Sequence, residues 1–233
     1  METIIRDGLA QMGLPTEAAP TLAEYGRLLL EKNQVMNLTA LRESEQVARL
    51  HFLDSAGLFG AADLHGARII DIGSGGGFPG LPLKLIDPSI RLTLLDALGK
   101  RVTWLNEVSQ ALGLTDVDCV HARAEEQALL PDWRERFDIA TSRAVADLRI
   151  LAELCLPYVK VGGKFLAMKS VDSDQELSAA KQGIELLGGS IGPAYDYEVP
   201  GTGVIHRVLV IEKVHPTPKG YPRRWAKLQK APL

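Results

Sequence analysis

Two acids and a cluster of glycines carry the chemistry that can be read from this chain. Asp71 sits two residues before Gly73 in the stretch Ile69-Ile70-Asp71-Ile72-Gly73-Ser74-Gly75-Gly76-Gly77-Phe78-Pro79-Gly80. Asp96 closes the next apolar segment, Ile90-Arg91-Leu92-Thr93-Leu94-Leu95-Asp96. Glycines at such density suit a turn that takes φ > 0 and lets a ligand approach the backbone. A carboxylate inside the first segment attracts an ammonium group, directly or through a water, and repels a pyrophosphate. A carboxylate at the end of the second suits the diol of a ribose. The pattern therefore points to a ligand with an amino-acid part and a ribose; an ordinary strand-to-helix turn is the bland alternative. Gly75 and Gly80 can be forced towards dinucleotide spacing, whereas a phosphate-binding P-loop is excluded because no Gly-Lys-Ser/Thr follows.

The elements that must position these residues alternate. Ile69 to Ile72 reads as a buried parallel strand and Pro79 to Ile86 as a helix. Lys100 to Leu112 reads as a second helix closed by Gly113. Strands are expected at Val117–Val120, Phe137–Thr141 and Lys164–Lys169, and helices at Leu148–Tyr158 and Asp174–Leu187. Ala194–Val199 and Val204–Lys213, joined by Pro200-Gly201-Thr202-Gly203, form a hairpin signal. Upstream, residues 1–60 read as helical, with a capping box at Thr21-Leu22-Ala23-Glu24 and a helix over Ser44–Phe59. Asn37-Leu38-Thr39 breaks the first helix. His51 and Asp54, three apart, share a helix face; they can cap, contact substrate or pair with each other. Strand-helix alternation with a closing hairpin predicts a doubly wound α/β sheet, with the ligand at the carboxyl ends of its strands. Asp71/Gly73, Asp96, Ala124/Glu125 and Ser142/Arg143 all fall on that edge.

Composition sets outer bounds. The chain has 233 residues, is 46% hydrophobic and carries a net charge of −3, which suits one globular domain and does not by itself announce nucleic acid. No apolar run approaches the ~18 residues of a membrane span, and the acidic N-terminus lacks a signal-peptide core. Two cysteines, Cys119 and Cys155, make neither a disulfide framework nor a metal pattern, so a cytoplasmic location and no metal are expected. From Lys213 onward there are six basic residues and no acid, with Tyr221 and Trp225 among them. That tail suits a phosphate backbone with unstacked bases, or a solvated terminus.

Along nearly its whole length the chain resembles the bacterial small-subunit ribosomal RNA methyltransferase G family, also called glucose-inhibited division protein B. The matching stretches are Asn37-Leu38-Thr39, His51-Phe52-Leu53-Asp54-Ser55, Asp71 to Gly80, Lys100-Arg101 and Arg123-Ala124-Glu125-Glu126. They continue with Thr141-Ser142-Arg143-Ala144, His206-Arg207 and Tyr221-Pro222-Arg223-Arg224. Two departures stand out: Ala97 where the family usually has Ser, and an unusual end to the tail, Trp225-Ala226-Lys227-Leu228-Gln229. The resemblance implies a class I S-adenosylmethionine-dependent methyltransferase fold, Rossmann-like and α/β. It implies a mostly parallel seven-stranded sheet ending in an antiparallel hairpin. Expected parts are a helical extension over 1–62, a cofactor-binding domain over 63–214 and a basic tail over 215–233.

It further implies methylation of N7 of one guanine in the decoding region of 16S rRNA, offered as rRNA or as the 30S subunit, by a monomer using S-adenosylmethionine. Gly73, Phe78, Ala124, Glu125 and Arg143 are the cofactor positions by resemblance; Asp71, Gly75, Gly77 and Asp96 join them from the reading of the residues. Arg143 is also a candidate for positioning the RNA, with a structural salt bridge as its alternative. Lys100, Arg101, Arg123, Arg207, Arg223 and Arg224 are the candidates for phosphate contacts. Ser142-Arg143-Ala144-Val145 is not the Asn/Asp-Pro-Pro-aromatic loop of exocyclic-amine methylation, and both cysteines read as core, which argues against a covalent C5 route. Guanine N7 bears a lone pair and no proton, so neither general base nor nucleophile is required. Two other classes stay open: an NAD(P)-dependent oxidoreductase on a related fold, and a non-catalytic ribosome-assembly protein.

Overall fold

The computed structural model describes residues 1–143 and 146–233. Its centre is a sheet of β1 (Arg68–Ile72), β2 (Arg91–Asp96), β3 (Val117–His121), β4 (Phe137–Arg143), β5 (Val159–Ser170), β6 (Gly189–Ile191), β7 (Tyr195–Glu198) and β8 (Ile205–Lys213). The spatial order is β3-β2-β1-β4-β5-β8, the first five parallel and β8 antiparallel to β5. The outer edge of β8 is shared: β7 pairs with its start, forming the expected hairpin, and β6 with its end. Seven positions therefore hold eight segments. The short β6 follows the end of the expected Asp174–Leu187 helix and was not expected; three residues are too few for a periodic signal.

β1 shows why this sheet reads as continuous apolar sequence. Ile69 packs with Leu22, Tyr25 and Phe52 of the N-terminal segment, whereas its neighbour Ile70 packs with Leu151 and Ile184 on the other face. All seven are fully buried, and a strand covered on both faces needs apolar residues at successive positions.

The N-terminal segment begins with helices Glu2–Gln11 and Ala19–Met36. The second starts two residues before the expected capping box, which does not form. A 3-10 turn, Thr16–Ala18, runs directly into it and supplies the carbonyl of Thr16 to the Ala19 N–H. The helix ends at Asn37, in the left-handed conformation (φ 47°). The single helix expected over Ser44–Phe59 is instead Ser44–Val47, a π turn over Ala48–Leu53, and the short pieces Asp54–Ala56 and Leu58–Ala61. π turns concentrate at functional sites, and this one carries His51 and leads into Asp54.

Part of the basic C-terminal stretch is built into the fold, whereas Lys219, Arg224, Lys227 and Lys230 are exposed. Lys213 is buried and donates to the Leu156 carbonyl (2.7 Å) and Thr217 Oγ1 (2.6 Å). Arg223 binds both oxygens of the fully buried Glu153. Leu228, in the helix Trp225–Lys230, is buried in the second core. Among the described residues, no helix is long and apolar enough to cross a membrane.

Candidate functional site

The glycine stretch leaves β1 at the carboxyl edge of the sheet, with Gly73, Gly75 and Gly77 at φ 73°, 58° and 111°. A Cβ on Gly77 would collide with the Tyr25 hydroxyl and the Leu81 side chain, so this position needs glycine for space as well as conformation. The Gly76 carbonyl accepts from Tyr25 O–H (2.6 Å) and Trp104 Nε1–H (3.1 Å). The turn is thus clamped between the N-terminal segment and the helix Gly99–Ala111. Asp96 holds its outer side, accepting from the N–H groups of Gly75 (2.9 Å) and Leu98 (2.8 Å), with Arg101 at 3.4 Å.

Asp71 lies beneath the turn. Its Oδ2 accepts from the Gly80 N–H (2.9 Å), at the start of helix Gly80–Ile86. Its Oδ1 is buried with no partner among the described residues. Burial pushes this carboxyl up to about 7, against the lowering effects of the Gly80 N–H and the Arg143 charge.

A cavity of about 910 Å³ opens over this edge. The sheet side contributes Gly73, Ser74, Gly75, Gly76, Phe78, Asp96, Ala97, Leu98, Arg101 and Arg123; the N-terminal segment contributes Leu38, Thr39, Leu41, Leu50, His51 and Asp54. Arg143, Met168, Lys169, Tyr197 and His206 line it as well.

One part of the wall is a polar network around Arg143, at the end of β4. Its Nη1 donates to Asp54 Oδ2 (3.0 Å) and the Leu50 carbonyl (3.3 Å), and its Nη2 to His51 Nδ1 (2.9 Å). The guanidinium carbon lies 5.0 Å from the centroid of Phe78, on which His51 stacks at 4.3 Å. Asp54 Oδ1 accepts from Tyr197 O–H (2.7 Å) and His206 Nδ1–H (2.6 Å). Burial alone would raise the Asp54 carboxyl; the His206 hydrogen bond, the Arg143 charge and Tyr197 together hold it below the usual range. The Asp54 hydrogen bond in turn raises His206. Burial, then the Arg143 charge, push His51 down to about 3, leaving it neutral at pH 7. His51 and Asp54 do not bond to each other; both grip Arg143.

Of the sequence-predicted cofactor residues, Gly73, Gly75, Phe78, Asp96 and Arg143 line the cavity. Asp71, Gly77, Ala124 and Glu125 do not; Ala124 and Glu125 are buried, and the Ala124 carbonyl accepts from Tyr158 O–H (2.7 Å). Among the phosphate candidates, Arg101 and Arg123 reach the cavity, and Lys100 and Arg224 are exposed. Arg207 and Arg223 are each engaged by acids of this chain. Arg207 is held by Asp174 and Asp196, each at 2.6 Å, and Arg223 neutralises Glu153, a buried carboxylate that requires a counter-charge. Ala144 and Val145 lie outside the described residues. Thr39, part of the Asn37-Leu38-Thr39 stretch, was singled out without a role; Leu98, Lys169 and Tyr197 were missed. Leu98, 45% exposed on the cavity rim, sits two residues past Asp96, a spacing that could have found it; Tyr197 carries no local signal.

Known proteins match this chain closely. A family model described as rRNA small subunit methyltransferase G matches residues 18–191. A relative named ribosomal RNA small subunit methyltransferase G, from Acetivibrio thermocellus, is 41% identical over 100% of this chain and 97% of its own. One of the same name from Alkaliphilus metalliredigens is 43% identical over 99% and 98%. Solved structures share the fold. An S-adenosylmethionine-dependent methyltransferase from Aquifex aeolicus is 16% identical, with a TM-score of 0.51 over 71% of this chain and 92% of its own. M. jannaschii TYW2, solved in complex with AdoMet, is 14% identical, with a TM-score of 0.52 over 68% and 75%. The sheet is therefore the class I methyltransferase sheet, and the chain belongs to the rRNA small subunit methyltransferase G family.

Proposed function

We propose that this protein uses S-adenosylmethionine to methylate small-subunit ribosomal RNA, at N7 of one guanine in the decoding region of 16S rRNA. The observation that carries this reading is the family match, which spans the elements bearing the glycine turn, Asp96 and Arg143. The residues fit the cofactor. A Cβ on Gly75 would meet only the Gly73 carbonyl oxygen, at 3.8 Å, so the turn presents an open face. Below it, Asp71 Oδ1 lacks a partner, as expected of a group awaiting an ammonium or a bridging water. Gly73, Gly75 and Asp71 would hold the methionine part, Asp96 the ribose, and Leu98, Ala124 and Glu125 the adenine end. When bound, S-adenosylmethionine supplies an electrophilic methyl group on a sulfonium sulfur.

The protein's task is then to hold the guanine in line and exclude competitors, because N7 already presents a lone pair. Arg143, tied by three acceptors, is a rigid wall element rather than a mobile clamp. Asp54 neutralises its charge, so this wall does not oppose the positive charge that passes to the base. Phe78, packed against Tyr25 and His51, stiffens the junction between turn and wall.

The test is transfer from radiolabelled S-adenosylmethionine to naked 16S rRNA and to 30S subunits, followed by borohydride–aniline cleavage. A single cleavage in the decoding region is expected. Incorporation without cleavage would move the target atom, and no incorporation with cofactor bound would favour a scaffold role.

A further inference from the structure

We propose that Thr39 is a specificity-determining residue: its hydroxyl is an obligatory hydrogen-bond donor, aimed through Asp54, Arg143 and His51, that takes the O6 oxygen of the target guanine. The inference rests on the guanine reading above. It follows from counting protons around His51. A guanidinium has no acceptor, so His51 Nδ1, 2.9 Å from Arg143 Nη2, must accept. The neutral ring then carries its proton on Nε2, which lies 2.7 Å from Thr39 Oγ1 and donates to it. The second lone pair of that oxygen accepts the Leu41 N–H at 3.0 Å. With both lone pairs filled, the hydroxyl can only donate, and no acceptor for it lies among the described residues.

Thr39 is also immobile. Its N–H donates to Asn33 Oδ1 and its carbonyl accepts from Asn33 Nδ2, both at 3.0 Å, and Asn33 is buried in helix Ala19–Met36. Thr39 lines the cavity on the wall contributed by the N-terminal segment, whereas the glycine turn and Asp96 belong to the sheet edge. Beside N7, guanine presents the O6 acceptor, where adenine presents an N6 donor. A donor-only hydroxyl donates to the first and leaves the second facing another donor, the arrangement that discriminates most strongly in a desolvated site.

The experiment compares wild type, Thr39→Val and Thr39→Ser on RNA carrying guanine or 2-aminopurine, which lacks O6, at the target position. N7 methylation rates and S-adenosylmethionine affinity by equilibrium dialysis are measured for each. Thr39→Val should lower kcat/KM on guanine by about tenfold to a hundredfold and abolish the preference over 2-aminopurine. Cofactor affinity should stay within about twofold, and Thr39→Ser, which keeps the donor, should restore the preference. Equal losses on both bases would overturn the assignment, as would weakened cofactor binding in step with the rate, since the acceptor would then lie on the cofactor. If the wild type leaves guanine N7 unmethylated, the reading beneath falls too; intact N7 methylation with an unchanged base ratio sinks Thr39 alone.

Discussion

Arg143–Asp54 and Arg223–Glu153 are alike in burial: the arginine side chains are 15% and 12% exposed and the carboxylates 4% and 0%. They differ in who shares the carboxylate. Glu153 gives both oxygens to Arg223, whose backbone N–H binds there as well, and the pair fastens the C-terminal stretch to the second core. Asp54 gives one oxygen to Arg143 and the other to Tyr197 and His206, and all three partners reach the cavity. Burial of an ion pair is thus no mark of function. The distribution of the remaining hydrogen bonds is what separates a fastening from a site.

Breaking each pair should expose that difference. Arg143→Ala leaves Asp54 buried without its cation and unfixes His51, so methyl transfer should fall by at least about a hundredfold, the kinetic equivalent of losing one partner of a buried pair. Single-turnover rates on saturated enzyme check this. Arg223→Ala strands Glu153 and should cost about 3–5 kcal/mol of stability in urea unfolding, with the rate per folded molecule unchanged. A rate loss there would mean that the C-terminal stretch touches RNA after all.

Tyr25→Phe sharpens the comparison from the cofactor side. It removes one of two donors to the Gly76 carbonyl; Trp104 keeps the oxygen satisfied, so the cost should be about 1 kcal/mol, read as several-fold weaker S-adenosylmethionine binding. His206 supplies a pH signature specific to the cavity pair. Its hydrogen bond to Asp54 raises its pKa on folding, so the added stability is complete below its ordinary value of 6.5 and fades as pH rises through the raised one. His206→Gln should flatten that slope in urea midpoints measured across pH 6–8, and Arg223 variants should not. The smallest effects belong to the exposed Lys100 and Arg224. Alanine at either should lessen the salt dependence of RNA binding by about one unit of log–log slope for each phosphate no longer neutralised, a test that fails if the slope is unchanged at both.

Local pattern made much of this protein legible. The glycine turn, Asp96 and the alternation of β1 to β5 could be read because each rests on residues adjacent in sequence. β6 was missed because it is three residues long, and the capping box was misplaced because a 3-10 turn with no side-chain cap starts the helix instead. His51 and Asp54 were visible as a pair, but their common partner, Arg143, is distant in sequence. The ion pairs of Arg207 and Arg223 were illegible for a similar reason: basic residues look alike until the acids facing them are known, and Asp174, Asp196 and Glu153 come from other elements.

The amino-acid sequence alone determined the sheet, the kind of ligand its carboxyl edge would suit, and the family resemblance, since periodicity, glycine density and motif order are properties of neighbouring residues. Tertiary structure alone decided that Asp71 sits beneath the turn rather than on the cavity wall, that Arg223 fastens the C-terminal stretch, and that Thr39 can only donate. Each of these depends on which groups share a carboxylate, a carbonyl or a lone pair, and such sharing exists only once segments far apart in the chain have packed together.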